Sequence, residues 1–183
     1  MANRYRDSEI SSLADRPVFF DANILLYIFW PTGLQSWEKD YSFIFGSLLK
    51  QKNEMVVDFI VISEVVNRAI RIEHVKYLQI NNISKDTLPF KKYRDSQNGR
   101  EALNDIYQII KKKVLGTFSV QGKSFSKSDI ENFLDPADTL DFSDKAIVAI
   151  CKEKKCILLT NDKDFAGTDI DILSSNPLLF RKI

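Results

Sequence analysis

The sequence predicts an α/β fold with a mainly parallel sheet, on three observations. Short, β-rich apolar runs alternate with stretches of helical periodicity, the pattern of strands joined by crossover helices. The clearest strand runs close on, or are followed by, a polar residue, often a carboxylate. The chain has 183 residues, 44% hydrophobic and 28% charged, which suits one globular domain with its own core and argues against disorder.

Residues 1–16 are polar and read as a loose arm or a short helix. Pro17 to Phe20 is a compact apolar run ending at Asp21, a buried strand. Asn23 to Phe29 is apolar again, and Pro31 with Gly33 breaks it. From Ser36 to Lys50, Trp37, Tyr41, Ile44, Phe45 and Leu48 recur every three or four residues, one face of an amphipathic helix. Met55 to Ile62 reads as a second strand, interrupted by Asp58. Ser63 then reads as the N-cap of a helix carrying Val65, Val66, Ala69 and Ile70, with Glu64 in its first turn.

Residues 81–100 are polar and rich in turn formers. Glu101 to Leu115 reads as a helix with Leu103, Ile106, Tyr107 and Ile110 inward and Lys111–Lys113 facing solvent; Gly116 stops it. A polar stretch, Thr117 to Pro136, follows. Asp141 to Asp144 opens another helix, Cys156 to Thr160 is a third buried strand, and Asn161 to Phe165 is the loop after it. Ile170 to Leu173 is a last strand candidate. The domain expectation is one unit over 1–183 with an insertion at about 81–135.

Lys and Arg total 26 against 25 Asp and Glu, so the net charge of +1 excludes a strongly basic nucleic-acid coat. The charge is uneven: residues 79–135 carry 10 cations against 7 acids, the remainder 16 against 18. Lys91, Lys92 and Arg94 alternate with Phe90 and Tyr93, a mix suited to gripping phosphates and stacking bases, although a solvated loop has the same composition. Cys151 and Cys156 with the single His74 show no zinc spacing and read as free thiols. The N-terminus lacks the apolar core of a secretory signal, and no apolar run approaches the roughly 20 residues of a membrane helix. A cytoplasmic location is expected.

The chemistry-bearing residues are carboxylates at element ends. In a parallel sheet the carboxyl ends of the strands share one edge, where ligands bind. Asp21, Glu64 and Asp162 therefore belong on that edge, and Asp144 reaches it from a helix N-terminus. Mutually repelling acids in one cleft favour a cation, and oxygen donors without His or Cys favour Mg²⁺ or Mn²⁺. Plainer readings exist: Asp141 as an N-cap, Asp144 and Glu64 as first-turn acids, Asp162 or Asp164 as turn formers. Asp21 is the hardest to read that way, because a charge closing a buried strand needs a partner. A haloacid-dehalogenase phosphatase is excluded because Asn23 stands where its second Asp belongs. A receiver domain needs an acidic pair at its first strand and a phosphoacceptor Asp at its third, an arrangement not found here.

Four segments carry a family resemblance. Val18-Phe19-Phe20-Asp21-Ala22-Asn23 resembles the opening motif of PIN domains, and the stretch from Val61 to Arg68 their second-acid segment. Phe142 to Ala149 is similar to their third-acid helix, and Ile157 to Phe165 to their closing strand and loop. The resemblance covers about 17–80 and 137–175. It implies a three-layer α/β/α sandwich around a parallel sheet and a Mg²⁺- or Mn²⁺-dependent ribonuclease. Asp21, Glu64, Asp144 and Asp162 would be its acidic quartet, supported by Asn23 and Thr160. Many small bacterial members are VapC-type toxins, paired with an antitoxin and usually dimeric, so an RNA substrate, an antitoxin and a homodimer are the partners it implies. The chain departs from the compact toxin pattern by its 81–135 stretch. A non-catalytic RNA- or protein-binding module of the same fold is the alternative.

Overall fold

The computed structural model describes residues 2–33, 36–135 and 140–180. Pro136, at the end of the expected polar stretch, and 137–139, at the start of the second resembling segment, lie outside them. Six strands form one sheet in the order β1-β6-β5-β2-β3-β4, and every pairing is parallel. The strands are β1 Arg4–Tyr5, β2 Val18–Phe20, β3 Met55–Val57, β4 Ser119–Val120, β5 Ile157–Leu159 and β6 Ile172–Leu173. Every residue of β2, β3 and β5 is buried, so both faces of the sheet are covered.

The covering helices are α1 Ala22–Phe29, α2 Trp37–Gln51, α3 Phe59–Ile80, α4 Phe90–Asp95, α5 Gln97–Ile109, α6 Lys127–Leu134 and α7 Phe142–Lys154. The steps β2→β3→β4 run one way along the sheet and the return from β4 to β5 runs the other. Right-handed crossovers therefore set α1–α3 and α7 on opposite faces. The sandwich expected from the sequence is this arrangement.

Four elements differ from expectation: α3, α5, β1 and β4. The run from Met55 to Ile62 is strand only to Val57. Asp58 then caps α3, its Oδ1 accepting from the Val61 amide at 2.9 Å, and Phe59 to Ile62 form the first turn of α3. β-branched residues suit strands, but the cap and the apolar face of a 22-residue helix outweigh that preference. Ser63 is thus not a cap, and Glu64 lies in the second turn. In the 81–135 stretch, α5 starts earlier than expected and ends in a π turn, Ile110–Val114. Ile106 and Ile110 are buried and Lys111–Lys113 exposed as expected, but Leu103 is half-buried and Tyr107 is exposed. Ile106, Ile110, Val114 and Phe118 join the same core as the sheet. β1 and β4 leave no strand signal in the sequence, because each is two residues long in polar sequence. β1 is secured by Arg4, whose guanidinium donates to the carbonyls of Ile170, Ala166 and Thr168 at 2.7, 2.9 and 2.6 Å.

Candidate active site

The sheet changes direction between β2 and β5: the chain leaves β2 toward β3 on one side and leaves β5 toward β6 on the other. Such a switch point opens a crevice at the carboxyl ends of the strands. Asp21 and Thr160 stand there side by side, at the ends of the two central strands. The Asp21 amide still donates to the Leu159 carbonyl at 3.1 Å, so the sheet ladder itself fixes the position of the residue.

Asp21 is buried, 6% exposed, and caps α1. One carboxylate oxygen, Oδ1, accepts from the Ala22 amide at 2.6 Å. The other, Oδ2, accepts from Asn23 Nδ2 at 2.8 Å and Thr160 Oγ1 at 2.6 Å. Thr160 Oγ1 in turn accepts from the Asp162 amide at 2.9 Å, which folds the loop after β5 back onto the site. The two supporting residues expected from the resemblance, Asn23 and Thr160, thus both hold Asp21.

Burial pushes the Asp21 carboxyl up to about 6; the bond from Thr160 opposes this, and the charges of Glu64 and Asp162 add to it. Asp144, half-buried in the first turn of α7, is pushed up to about 7 by burial and by the charges of Asp141, Asp21 and Asp162. The four expected acids therefore share one electrostatic field. Asp141 is the N-cap of α7, as its plainer reading had it, with Oδ1 accepting from the Asp144 amide at 2.8 Å. Asp162 caps the turn Lys163–Gly167 through the Asp164 amide at 2.9 Å. Glu64 is turned along α3 to Arg68, at 2.9 Å.

The donor chemistry of the site fits a hard divalent cation: oxygen donors only, with two acids whose raised pKa values a positive charge would relieve. The spacing is open. Among the described residues no three His, Cys, Asp or Glu side chains form a ready metal cage. An ion such as Mg²⁺, which keeps several of its waters, suits such spacing better than one needing a closed protein shell.

Beneath the loop lies a polar network that sequence reasoning missed. Tyr41 Oη is shared among the Thr160 carbonyl, Asn161 Oδ1 and Ser174 Oγ at 3.1, 3.0 and 3.0 Å. Asn161 Nδ2 donates to Tyr27 Oη at 3.1 Å, and Asn176 Nδ2 to the Asn161 carbonyl at 2.6 Å. Tyr41 sits on the apolar stripe of α2 and looks like a plain core residue in sequence; only its hydroxyl marks it, since a buried Tyr needs a partner.

The basic cluster of the 81–135 stretch sits elsewhere. Lys91, Lys92 and Arg94 lie on α4, which packs against the C-terminal half of α3. Tyr93 is buried and stacked on His74 at 4.9 Å, Phe90 lies under the Arg71 guanidinium at 4.2 Å, and Arg94 pairs with Asp95 at 3.0 Å. His74 is ten residues beyond Glu64, about 15 Å along the helix. The aromatics expected to stack bases are thus committed to protein, while Lys91 and Lys92 remain exposed. Cys151 and Cys156 are buried free thiols.

No family model and no curated protein matches the sequence. The structure is similar to the crystal structure of FitAcB from Neisseria gonorrhoeae, with a TM-score of 0.52 and 14% identity, over 85% of this chain and 96% of that one. At that identity the likeness is one of fold. The α/β fold is consistent with a PIN-like fold. No helix among the described residues is long and apolar enough to cross a membrane.

Proposed function

We propose that the chain is a divalent-metal-dependent endoribonuclease whose acidic centre is Asp21, Glu64, Asp144 and Asp162. The observation that carries this reading is Asp21 itself. It is a buried carboxylate at the sheet's switch point, held from three sides yet facing other acids that push its pKa up to about 6. A purely structural acid gains nothing from such neighbours. The fold likeness and the PIN resemblance of the four segments support the same assignment.

A bound Mg²⁺ or Mn²⁺ would polarise the phosphate and lower the pKa of a bound water. Asp21, fixed by Ala22, Asn23 and Thr160, presents a carboxylate that cannot swing away from the crevice. Asp144 and Asp162 approach from α7 and the loop after β5. Without a cation the Asp144 carboxyl is raised to about 7 by burial and its acidic neighbours; a bound cation would favour its charged, ligating form. Glu64 would have to leave Arg68 to join them. An antitoxin partner and a homodimer accompany this reading through the resemblance.

The open spacing of the acids favours one rival, a PIN-like module that binds RNA or protein without cutting. Incubating the purified chain with single-stranded RNA and Mn²⁺, with and without EDTA, separates the two. Cleavage that EDTA and Asp21→Asn both abolish supports the nuclease. Absence of both cleavage and Mn²⁺ binding by calorimetry supports the module.

A further inference from the structure

Between the first turns of α3 and α7 runs a groove of about 470 Å³, lined from α3 by Phe59, Ser63, Glu64 and Asn67 and from α7 by Asp141 and Ser143. Phe59 is 80% exposed, an unusual state for a phenylalanine. Phe59, Ser63 and Asn67 follow at i, i+4 and i+8, so they form one stripe along α3. Ser63 and Asn67 make no side-chain hydrogen bond among the described residues, whereas Ser143 is already bonded to Asp141 at 2.8 Å. The stripe therefore offers one flat apolar face followed by two uncommitted polar groups. It adjoins Glu64, whose charge acts on Asp21.

We infer that Phe59, Ser63 and Asn67 form a base-binding stripe that holds an unpaired nucleotide flanking the scissile phosphate of single-stranded RNA. The inference rests on the ribonuclease reading and names its substrate class. A base has a π-face for Phe59 to stack on and an edge for Ser63 and Asn67 to hydrogen-bond. A paired base offers neither, because its faces are stacked and its edge is engaged. Glu64 and Asp141 in the groove repel a phosphate, so the neutral base occupies it and the phosphate lies toward the acidic centre. A protein partner is disfavoured by the same lining: docking faces present contiguous apolar surface, and here Phe59 and Ile60 stand beside five polar or charged residues.

The test is steady-state cleavage of a short single-stranded RNA in Mn²⁺ by wild type, Phe59→Ala, Phe59→Trp and Asn67→Ala, with oligomeric state checked by light scattering. Phe59→Ala should raise KM about 5- to 100-fold with kcat nearly unchanged, the size of one lost base stack, and Phe59→Trp should restore it. A substrate with an abasic site beside the cut should cost wild type the same factor and Phe59→Ala nothing further. Asn67→Ala should weaken binding less. Thermal stability should stay unchanged, because the Phe59 ring is exposed. A wild type that cleaves RNA while Phe59→Ala keeps its KM overturns the stripe and leaves the ribonuclease reading intact. Phe59→Ala that dissociates an oligomer without changing KM overturns it in favour of a protein contact. A wild type that cuts no RNA removes the ribonuclease reading; the stripe then stands only if fluorescence anisotropy shows single-stranded RNA binding that Phe59→Ala weakens, and falls if it does not.

Discussion

Asp21 and Glu38 are both buried carboxylates that accept three hydrogen bonds, yet they are held in opposite electrostatic states. Glu38 takes the Thr32 amide and hydroxyl at 2.7 and 2.8 Å and the Gly33 amide at 2.9 Å, tying the Pro31–Gly33 break to the start of α2. Burial alone would push its carboxyl up, but those bonds outweigh it and the pKa falls below the ordinary range. Asp21 takes bonds of similar length and is nevertheless pushed up to about 6, because its burial is deeper and Glu64 and Asp162 add their charges. Hydrogen-bond count therefore does not set the direction of the shift; the depth of burial, with the neighbouring acids, does.

The largest expected effect comes from removing the charge at Asp21. Asp21→Asn keeps the shape, so cleavage of single-stranded RNA should fall by at least about 100-fold. The metal-free protein should lose less stability than Glu38→Gln does, since relieved repulsion offsets the bonds that an amide nitrogen cannot accept. An unfolded variant would break the comparison.

Next is pH. Asp21 binds protons more tightly folded than unfolded, so the native state holds more protons between the ordinary value of 3.8 and about 6. Its contribution to stability therefore declines as pH rises through that window, on the order of 3 kcal/mol in full. Asp144 adds a decline of the same sign up to about 7. Glu38 runs the other way: its lowered pKa gives stability that is present above the ordinary glutamate range and lost as pH falls below it. Denaturant unfolding in EDTA between pH 4.5 and 8 should show the wild-type decline reduced in Asp21→Asn. An Asp21→Asn curve parallel to wild type would sink the assignment.

Glu38→Gln should cost about 2 kcal/mol of stability at pH 7, because a neutral amide replaces a carboxylate that accepts from three donors. The cleavage rate per folded molecule should not change. The smallest effect is at Thr160. Thr160→Val removes the hydroxyl bonded to Asp21 and should weaken Mn²⁺ binding about tenfold, as loss of a group orienting a metal ligand does; calorimetry measures it. A full loss of binding would mean that Thr160 acts beyond its bonds to Asp21 and the Asp162 amide.

The same pair shows what sequence can and cannot reveal. Asp21 was legible because it closes a three-residue buried strand, and β2 and β5 carry dense, unambiguous apolar runs. The alternation of strand and helix was enough to place Asp21 and Thr160 at the carboxyl ends of two paired strands. Glu38 was not legible: it sits on a helix beside one exposed acid, Asp40, and its donors lie in a break whose shape no periodicity reports. The start of α3 is hidden in the sequence because Ile60, Val61 and Ile62 suit a strand and only the Asp58 cap decides for helix. The Tyr41–Asn161–Asn176 network joins residues up to 135 positions apart, and no local pattern announces such a meeting.

The all-parallel pairing has a consequence for the timing of folding. Asn3 donates to Asp171 across 168 positions, and Thr160 meets Asp21 across 139. A ribosome adding about 5–20 residues per second emits Asp21 many seconds before Thr160 and Asp162 exist. Until then β2 has only β3 beside it, Asp21 has neither the threonine bond nor its acidic neighbours, and β1 has no strand to pair with. The crevice at the switch point is thus among the last features of the molecule to assemble, and a nascent chain carries its central carboxylate without the site around it.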